Sequence, residues 1–256
     1  PGNFIFRSRE FEQMEMQYFV KPGADADAFE YWRGQRLEWY VNELHITRAK
    51  LRFREHAQNE LAHYARRGVD IEYAFPFGWK ELEGIHNRGD WDLKRHSQFS
   101  GKDLSYFDDV TGEHFMPWVI ETSGGVDRAA LTALLDAYDE EPDKDGIRIV
   151  LRFGKAVAPI KVAFLPLSRK DNLAQLASRL EHELRTSFVT DYDETASIGK
   201  RYRRQDEIGT PLCVTVDFQT LEDRAVTIRE RDSMQQQRVS TDRLREALQD
   251  TLDKLT

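Results

Sequence analysis

The chain has 256 residues, of which 40% are hydrophobic and 32% charged, with a formal net charge of −8; these figures suit one large or two modest globular domains, and no apolar run is long enough for a membrane span. The acidic balance excludes nucleic-acid binding through overall charge and leaves that role only to a local basic patch. A single cysteine, Cys213, excludes an intrachain disulfide; within the strand-like run LCVTV it reads as a buried structural thiol, which suits a reducing cytoplasm.

Two domains are expected. Residues 4–20 read as one long strand. A strand alternates its faces, so Arg7, Arg9, Phe11, Gln13 and Glu15 share one side, running from cations through an aromatic ring to an amide and a carboxylate. Met14, Met16, Tyr18 and Val20 give the other side an apolar stripe suited to packing on helices. Arginine supplies planar donors for phosphate, a ring stacks on a base and a carboxylate suits an ammonium, so the graded side fits a nucleotide joined to an amino acid. The plain alternative is a solvated strand whose charges hold off edge pairing.

Turn chemistry at 21–25 ends this strand, and Asp25 or Asp27 caps an expected helix running to about residue 44, with Phe29, Trp32, Leu37 and Tyr40 as its core side. A second helix is expected from Thr47 to residue 67. It carries His56 and His63, whose spacing of seven makes no His-Glu-x-x-His metal motif, so packing or hydrogen bonding is the expected role of both. Residues 69–75 read as an alternating strand, 76–78 as a turn and 79–86 as another strand. Glu81 and Glu83 are read on a shared face, where Mg²⁺ carrying phosphates relieves their repulsion, and Arg88 and Asp90 extend the wall; a solvent-facing edge is the alternative.

A loop with a hairpin around 109–112 spans 99–117. Residues 118–121 then form a buried strand, 122–125 a tight turn, and a helix starts at 126. Glycines in the turn let the backbone approach a ligand, and a helix start favours anions. Arg128, in the first helical turn, opposes the helix dipole unless an anion compensates it. The charged run 139–146 reads as a loop, 148–153 as a strand and 155–159 as a linker, which puts the domain boundary near residue 157. Beyond it, strands at 160–166, 188–191, 212–218 and 225–231 alternate with helices at 170–186, 197–208 and 241–255, a small α/β domain with a mixed sheet. Here Lys200, Arg201, Arg203 and Arg204 flank Tyr202, a combination suited to single-stranded RNA; a solvated helix face is the alternative.

Four segments, RSREFEQME at 7–15, ELEGIHNR at 81–88, VIETSGGVDR at 119–128 and KRYRRQDEIGTP at 200–211, together resemble the class II aminoacyl-tRNA synthetases, and within them the glycyl-tRNA synthetases of the dimeric type. In order, they are similar to that family's motif 2, intermediate site segment, motif 3 and anticodon-domain signature, along nearly the whole chain. The resemblance implies an α/β (α+β) fold: an antiparallel-sheet catalytic core over 1–156, then an anticodon-binding domain over 157–256. It also implies adenylation of glycine by ATP and transfer to the 3′ end of tRNA(Gly), driven by positioning and electrostatics without a nucleophilic side chain.

By the same resemblance Arg7 holds the γ-phosphate and Phe11 stacks on adenine. Phe6, Arg9, Leu82, Arg88, Gly125 and Arg128 join the ATP contacts, and Arg7, Glu81 and Arg128 form the catalytic set. Glu81 faces ATP and its Mg²⁺; no zinc is expected. Phe11, Gln13, Glu15, Glu121, Ser123 and Gly125 enclose glycine, the acids binding its ammonium while bulk excludes larger side chains. Lys200, Arg201, Arg203 and Arg204 contact the tRNA. Thr122 stands where the family usually has proline, which is expected to loosen the turn before Ser123. The chain starts inside motif 2, so motif 1, which builds the family's homodimer interface, is expected outside it, and the chain alone is expected not to charge tRNA. The competing class is a synthetase-like paralogue that binds nucleic acid without catalysis, of the mitochondrial polymerase accessory-subunit type; a third reading is a class II synthetase for another amino acid.

Overall fold

Strand pairing decides what the alternating segments become. The computed structural model describes all residues except 1, 3, 144, 145, 170 and 256, and these fall into two compact units, one of residues 1–42 and 46–135, the other of 43–45 and 136–256.

In chain order the first unit contains β1 (Gln13–Val20), α1 (Asp25–Asn42), β2 (Leu51–Glu55), β3 (Arg67–Phe75), β4 (Gly78–Gly89), α2 (Trp91–Ser100), the hairpin β5 (Tyr106–Asp108) and β6 (Glu113–Phe115), β7 (Trp118–Gly125) and the start of α3 (Val126–Ala137). Five of the strands form an antiparallel sheet in the order β1-β7-β4-β3-β2. Val69, Ile71, Tyr73, Ile85 and Ile120 are buried in this unit, as are Phe29 and Tyr40 of α1. Each such side chain contributes about 1.5–3 kcal/mol by leaving water.

Three expectations change here. The strand expected over 4–20 begins only at Gln13, because its partner β7 ends at Gly125 opposite Gln13 and turns directly into α3; upstream, Phe4–Phe6 form a 3₁₀ turn. The helix expected over 47–67 is instead β2 followed by a loop, since Leu51 and Phe53 alternate in register with Tyr73 and Ile71. The turn expected at 122–125 is extended strand, with Thr122 buried between Met16 and Ile85 in the ladder, so no loosened turn precedes Ser123.

The second unit opens with the hairpin of β8 (Tyr138–Asp143) and β9 (Gly146–Leu151) where a loop was expected, its positions 144 and 145 lying outside the described residues, as does the expected helix start at 170. It continues with β10 (Val162–Pro166), α4 (Asp171–Leu184), β11 (Thr190–Tyr192), α5 (Ile198–Ile208), β12 (Leu212–Val216), α6 (Thr220–Asp223), β13 (Ala225–Glu230), β14 (Gln236–Ser240) and α7 (Leu244–Lys254). The mixed sheet runs β11-β10-β12-β13-β14, with β10 parallel to both β11 and β12 and the other pairs antiparallel. Leu173, Ala177, Leu180 and Leu184 of α4 and Leu244, Leu248 and Leu252 of α7 recur at helical spacing and pack with Val162 and Phe164. The alternate residues Ala163 and Leu165 turn, with Cys213, to the other face, against Ile198 and Tyr202 of α5. Burial there pushes the Cys213 thiol up to about 12. Among the described residues no helix is long and apolar enough to cross a membrane.

Candidate active site

Register pairs in a sheet point to the same side. Glu15 lies opposite Ser123 and Gln17 opposite Glu121, and β4 continues these rows with Gly84 beside Ser123 and His86 beside Glu121. This is the polar front of the first sheet; α1 packs on the rear, where the Arg36 and Tyr40 side chains reach Glu83. Glu15 thus meets Glu121 and Ser123, more than a hundred residues further along the chain, on one surface.

At the Glu121 end, the Gln17 amide nitrogen donates to Glu15 Oε1 at 2.9 Å and to Glu121 Oε2 at 3.1 Å. Arg88 Nη1 donates to the same Glu121 oxygen at 2.6 Å, and its Nε donates to Asp92 at 2.7 Å. Burial holds the Glu121 carboxyl above the ordinary 4.5; Arg88 opposes the shift and the nearby Glu15 charge adds to it. Gln13 Nε2 donates to Ser123 Oγ at 2.5 Å. One strand further over, at β3, His56 Nε2 sits 2.8 Å from Asp70 Oδ1. Burial, helped by the neighbouring His56, pushes the His86 imidazole below its ordinary value.

Next to Ser123 opens a cavity of about 420 Å³ whose walls include Phe6, Arg7, Phe11, Gln13, Glu81, Ser123, Gly125 and Arg128. The Phe11 ring is 62% exposed, which leaves it available for stacking. The Arg128 guanidinium donates to the carbonyls of Glu81 at 3.0 Å and Phe6 at 3.2 Å, and lies 3.3 Å from the Glu81 carboxylate. These partners compensate the cation at the helix start.

The paired reading of Glu81 and Glu83 is corrected. A β-bulge at Leu82 sets Glu81 opposite Glu72 but Glu83 opposite Ile71, which turns the two acids to opposite faces. Glu81 stays at the front cavity. Glu83, 1% exposed, is locked at the rear by Arg36, whose Nε and Nη2 reach its two oxygens at 2.6 and 3.0 Å, and by the Tyr40 hydroxyl at 2.8 Å. A side chain added at the paired Gly124 would meet this lock, its Cβ falling 3.1 Å from Glu83 Oε2 and 3.3 Å from the Tyr40 oxygen.

Not every expected ATP contact reaches the cavity. Leu82 is buried on the bulge, Arg9 points to solvent away from the cavity walls, and Arg88 sits on a second irregularity of β4, committed to Glu121 and Asp92. Gln17, Asp92 and the Arg36–Glu83–Tyr40 lock were missed. Extending the odd-position alternation two residues past Glu15 finds Gln17; the others carry no local signal. Among the described residues, no group of three or more His, Cys, Asp or Glu is placed to hold a metal ion.

In the second unit the four cations around Tyr202 do not form one open face. Arg201 is 2% exposed, its guanidinium donating to the carbonyls of Pro166 at 2.6 Å and Asp193 at 3.1 Å, so it acts as a buried cap rather than a surface cation. Arg203 pairs with Asp143, Arg204 with Asp193, and the Tyr202 hydroxyl shares a hydrogen bond with Thr215. Lys200 is exposed. Deeper in the unit, Asp206 is 1% exposed and bridges the buried Arg148 and Arg229.

Residues 161–251 match the family model described as an anticodon binding domain. Over 252 residues, 95% of this chain and 54% of the relative, the sequence is 57% identical to a glycine–tRNA ligase of Corynebacterium glutamicum. It is 54% identical over 260 residues to the glycine–tRNA ligase of Thermobifida fusca, covering 98% of this chain and 56% of the relative. The chain therefore spans about half the length of these curated relatives. Among solved structures, a prolyl-tRNA synthetase from Cryptosporidium parvum complexed with L-proline and AMP superposes with a TM-score of 0.71 at 17% identity, covering 99% of this chain and 52% of that one. At that identity the likeness speaks for the fold, an antiparallel-sheet synthetase core with a mixed α/β domain.

Proposed function

Because the chain belongs to the glycine–tRNA ligase family, of whose matched members it spans about half the length, we propose that it supplies the nucleotide and amino-acid sites of a glycine–tRNA ligase, with residues 157–256 as its tRNA-contacting domain. The observation that carries this reading is the meeting of Glu15, Glu121 and Ser123 on one face beside a cavity walled by Phe11, Arg7 and Arg128. Glu15 and Glu121 take the ammonium of glycine, and Gln13, Ser123 and Gly125 close the space a larger side chain needs. The ring of Phe11 stacks on adenine while Arg7 and Arg128 hold the phosphates, with Phe6 beneath the Arg128 guanidinium.

The reaction is attack of the glycine carboxylate on the α-phosphorus of ATP, with pyrophosphate leaving, followed by transfer to the 3′ end of tRNA(Gly). The chain's part is positioning and electrostatic stabilisation; no side chain forms a bond to substrate. Mg²⁺ enters with ATP, and the half-exposed Glu81 carboxylate on the cavity wall fits an ion that is held by one carboxylate and substrate phosphates. Bound there, the ion would neutralise charge that develops on the phosphates. Of the four cations near Tyr202, Lys200 faces the tRNA, with Arg203 and Arg204 at its edge and Arg201 shaping the helix beneath. The family reading also implies a cytoplasmic homodimer.

The test is glycine-dependent ATP–pyrophosphate exchange in the full-length protein that carries this sequence, with alanine and serine as competitors. Exchange with glycine alone is expected. Loss of exchange with retained nucleic-acid binding favours the non-catalytic paralogue, and exchange with another amino acid favours a different synthetase.

A further inference from the structure

The Gln17 amide nitrogen sits between two carboxylates, 2.9 Å from Glu15 and 3.1 Å from Glu121. Those are the distances and partners of an ammonium bridging two acids. The arrangement follows from the strand: Gln17 is two residues beyond Glu15 on the same face of β1 and directly opposite Glu121 of β7. Charge around it is incompletely balanced. Arg88 neutralises Glu121 but is shared with Asp92, while the Glu15 carboxylate accepts from the neutral Gln17 amide.

We propose that Gln17 is an internal placeholder for the substrate ammonium, which displaces it when the amino acid binds, so that Gln17 sets the apparent affinity for glycine. This rests on the reading of Glu15 and Glu121 as the ammonium site. Three physical points favour displacement over a permanent plug. Gln17 is exposed, so no packing holds its side chain inward. Its two hydrogen bonds are those of a neutral amide, whereas an ammonium offers three charged donors, and charge-assisted bonds are roughly twice as strong. Its swing exchanges those bonds for water without exposing a buried group, because Glu121 keeps Arg88. With substrate absent, the amide satisfies two acids that otherwise repel each other across the strands.

A side chain that must leave before substrate binds raises the apparent KM by the reciprocal of the fraction of time the site stands free. For two hydrogen bonds in the lower half of their ordinary net strength that factor is about five- to thirty-fold. In the full-length protein that carries this sequence, Gln17→Ala is therefore expected to lower the KM for glycine by about that factor. The KM for ATP and kcat stay near wild type, since the amide has left before the chemical step. Gln17→Asn, one methylene too short to reach both acids, behaves like Gln17→Ala. Gln17→Glu adds a third acid and moves the acidic limb of the glycine profile upward. Crystal structures with and without glycine are the second readout, with Gln17 between the acids only in the empty site.

An unchanged or raised KM for glycine in Gln17→Ala overturns the proposal, as does a bound glycine with the Gln17 amide still bridging Glu15 and Glu121. Absence of glycine-dependent exchange in the wild-type protein overturns the underlying functional reading instead, so the two failures are distinct.

Discussion

Replacing Glu83 by glutamine tests the claim that the bulge at Leu82 turns this carboxylate into a buried rear lock. The change keeps the shape and removes the charge. Glu83 accepts from Arg36 Nε at 2.6 Å, from Arg36 Nη2 at 3.0 Å and from the Tyr40 hydroxyl at 2.8 Å. A glutamine has one acceptor oxygen, so its amide must face one of these donors with a donor of its own. Removing one partner of a fully buried ion pair costs about 3–5 kcal/mol. The Arg36 side chain is 19% exposed, so water recovers part of this, and about 2–4 kcal/mol is expected. All five tryptophans, Trp32, Trp39, Trp79, Trp91 and Trp118, lie in the first unit, so their emission during urea unfolding reports that unit alone. With a slope of about 1–3 kcal/mol/M, the midpoint should fall by about 1–2 M. Tyr40→Phe removes a single hydrogen bond, about 1 kcal/mol, and the double variant should lose less than the sum because both changes act on one carboxylate. A midpoint lowered by less than about 0.3 M, or strictly additive losses, would refute the lock.

Two further outcomes follow from buried charge. Glu121 must be ionised to hold an ammonium and its carboxyl is raised above 4.5, so the KM for glycine should climb as pH falls through that raised value; a glycine profile flat down to 4.5 sinks this. Stability depends on pH in the opposite sense: with its carboxyl raised, Glu121 favours the folded state fully below its unfolded value, and that contribution is lost as pH rises through the folded one. In the second unit, Asp206→Asn leaves Arg148, 1% exposed, and Arg229, 5% exposed, facing each other across a neutral amide. A loss of about 3–5 kcal/mol is expected, seen as earlier melting of the second unit by circular dichroism with unchanged tryptophan emission. Coincident shifts in both signals contradict that assignment.

What was legible in the sequence followed from patterns that need no partner. The stripes of α4 and α7, the alternation of β10 and the buried setting of Cys213 could be read because each apolar residue records which way its own backbone turns. The front face of β1 was legible for the same reason, and Glu15, Glu121 and Ser123 do share a surface. The failures share a different cause. The chain over 7–12 alternates well enough for a strand, but β7 offers it no ladder beyond Gly125; residues 51–55 carry charges at helix-compatible spacing, but β3 supplies one. A strand is a property of two segments.

The same reasoning accounts for the site residues that periodicity misplaced. A bulge is one residue too many relative to the neighbouring strand, so nothing within ELEGIHNR marks Leu82 as the extra one, yet it alone decides whether Glu81 and Glu83 meet one ligand or face opposite sides. Arg201 makes the parallel case for charge. Read beside Lys200, Arg203 and Arg204 it belongs to a basic surface, but the carbonyls of Pro166 and Asp193 come from the end of β10 and the turn after β11, and these draw it inside. A run of like charges predicts a binding surface only to the extent that the fold leaves each cation facing water, and here the fold takes at least one of four for itself.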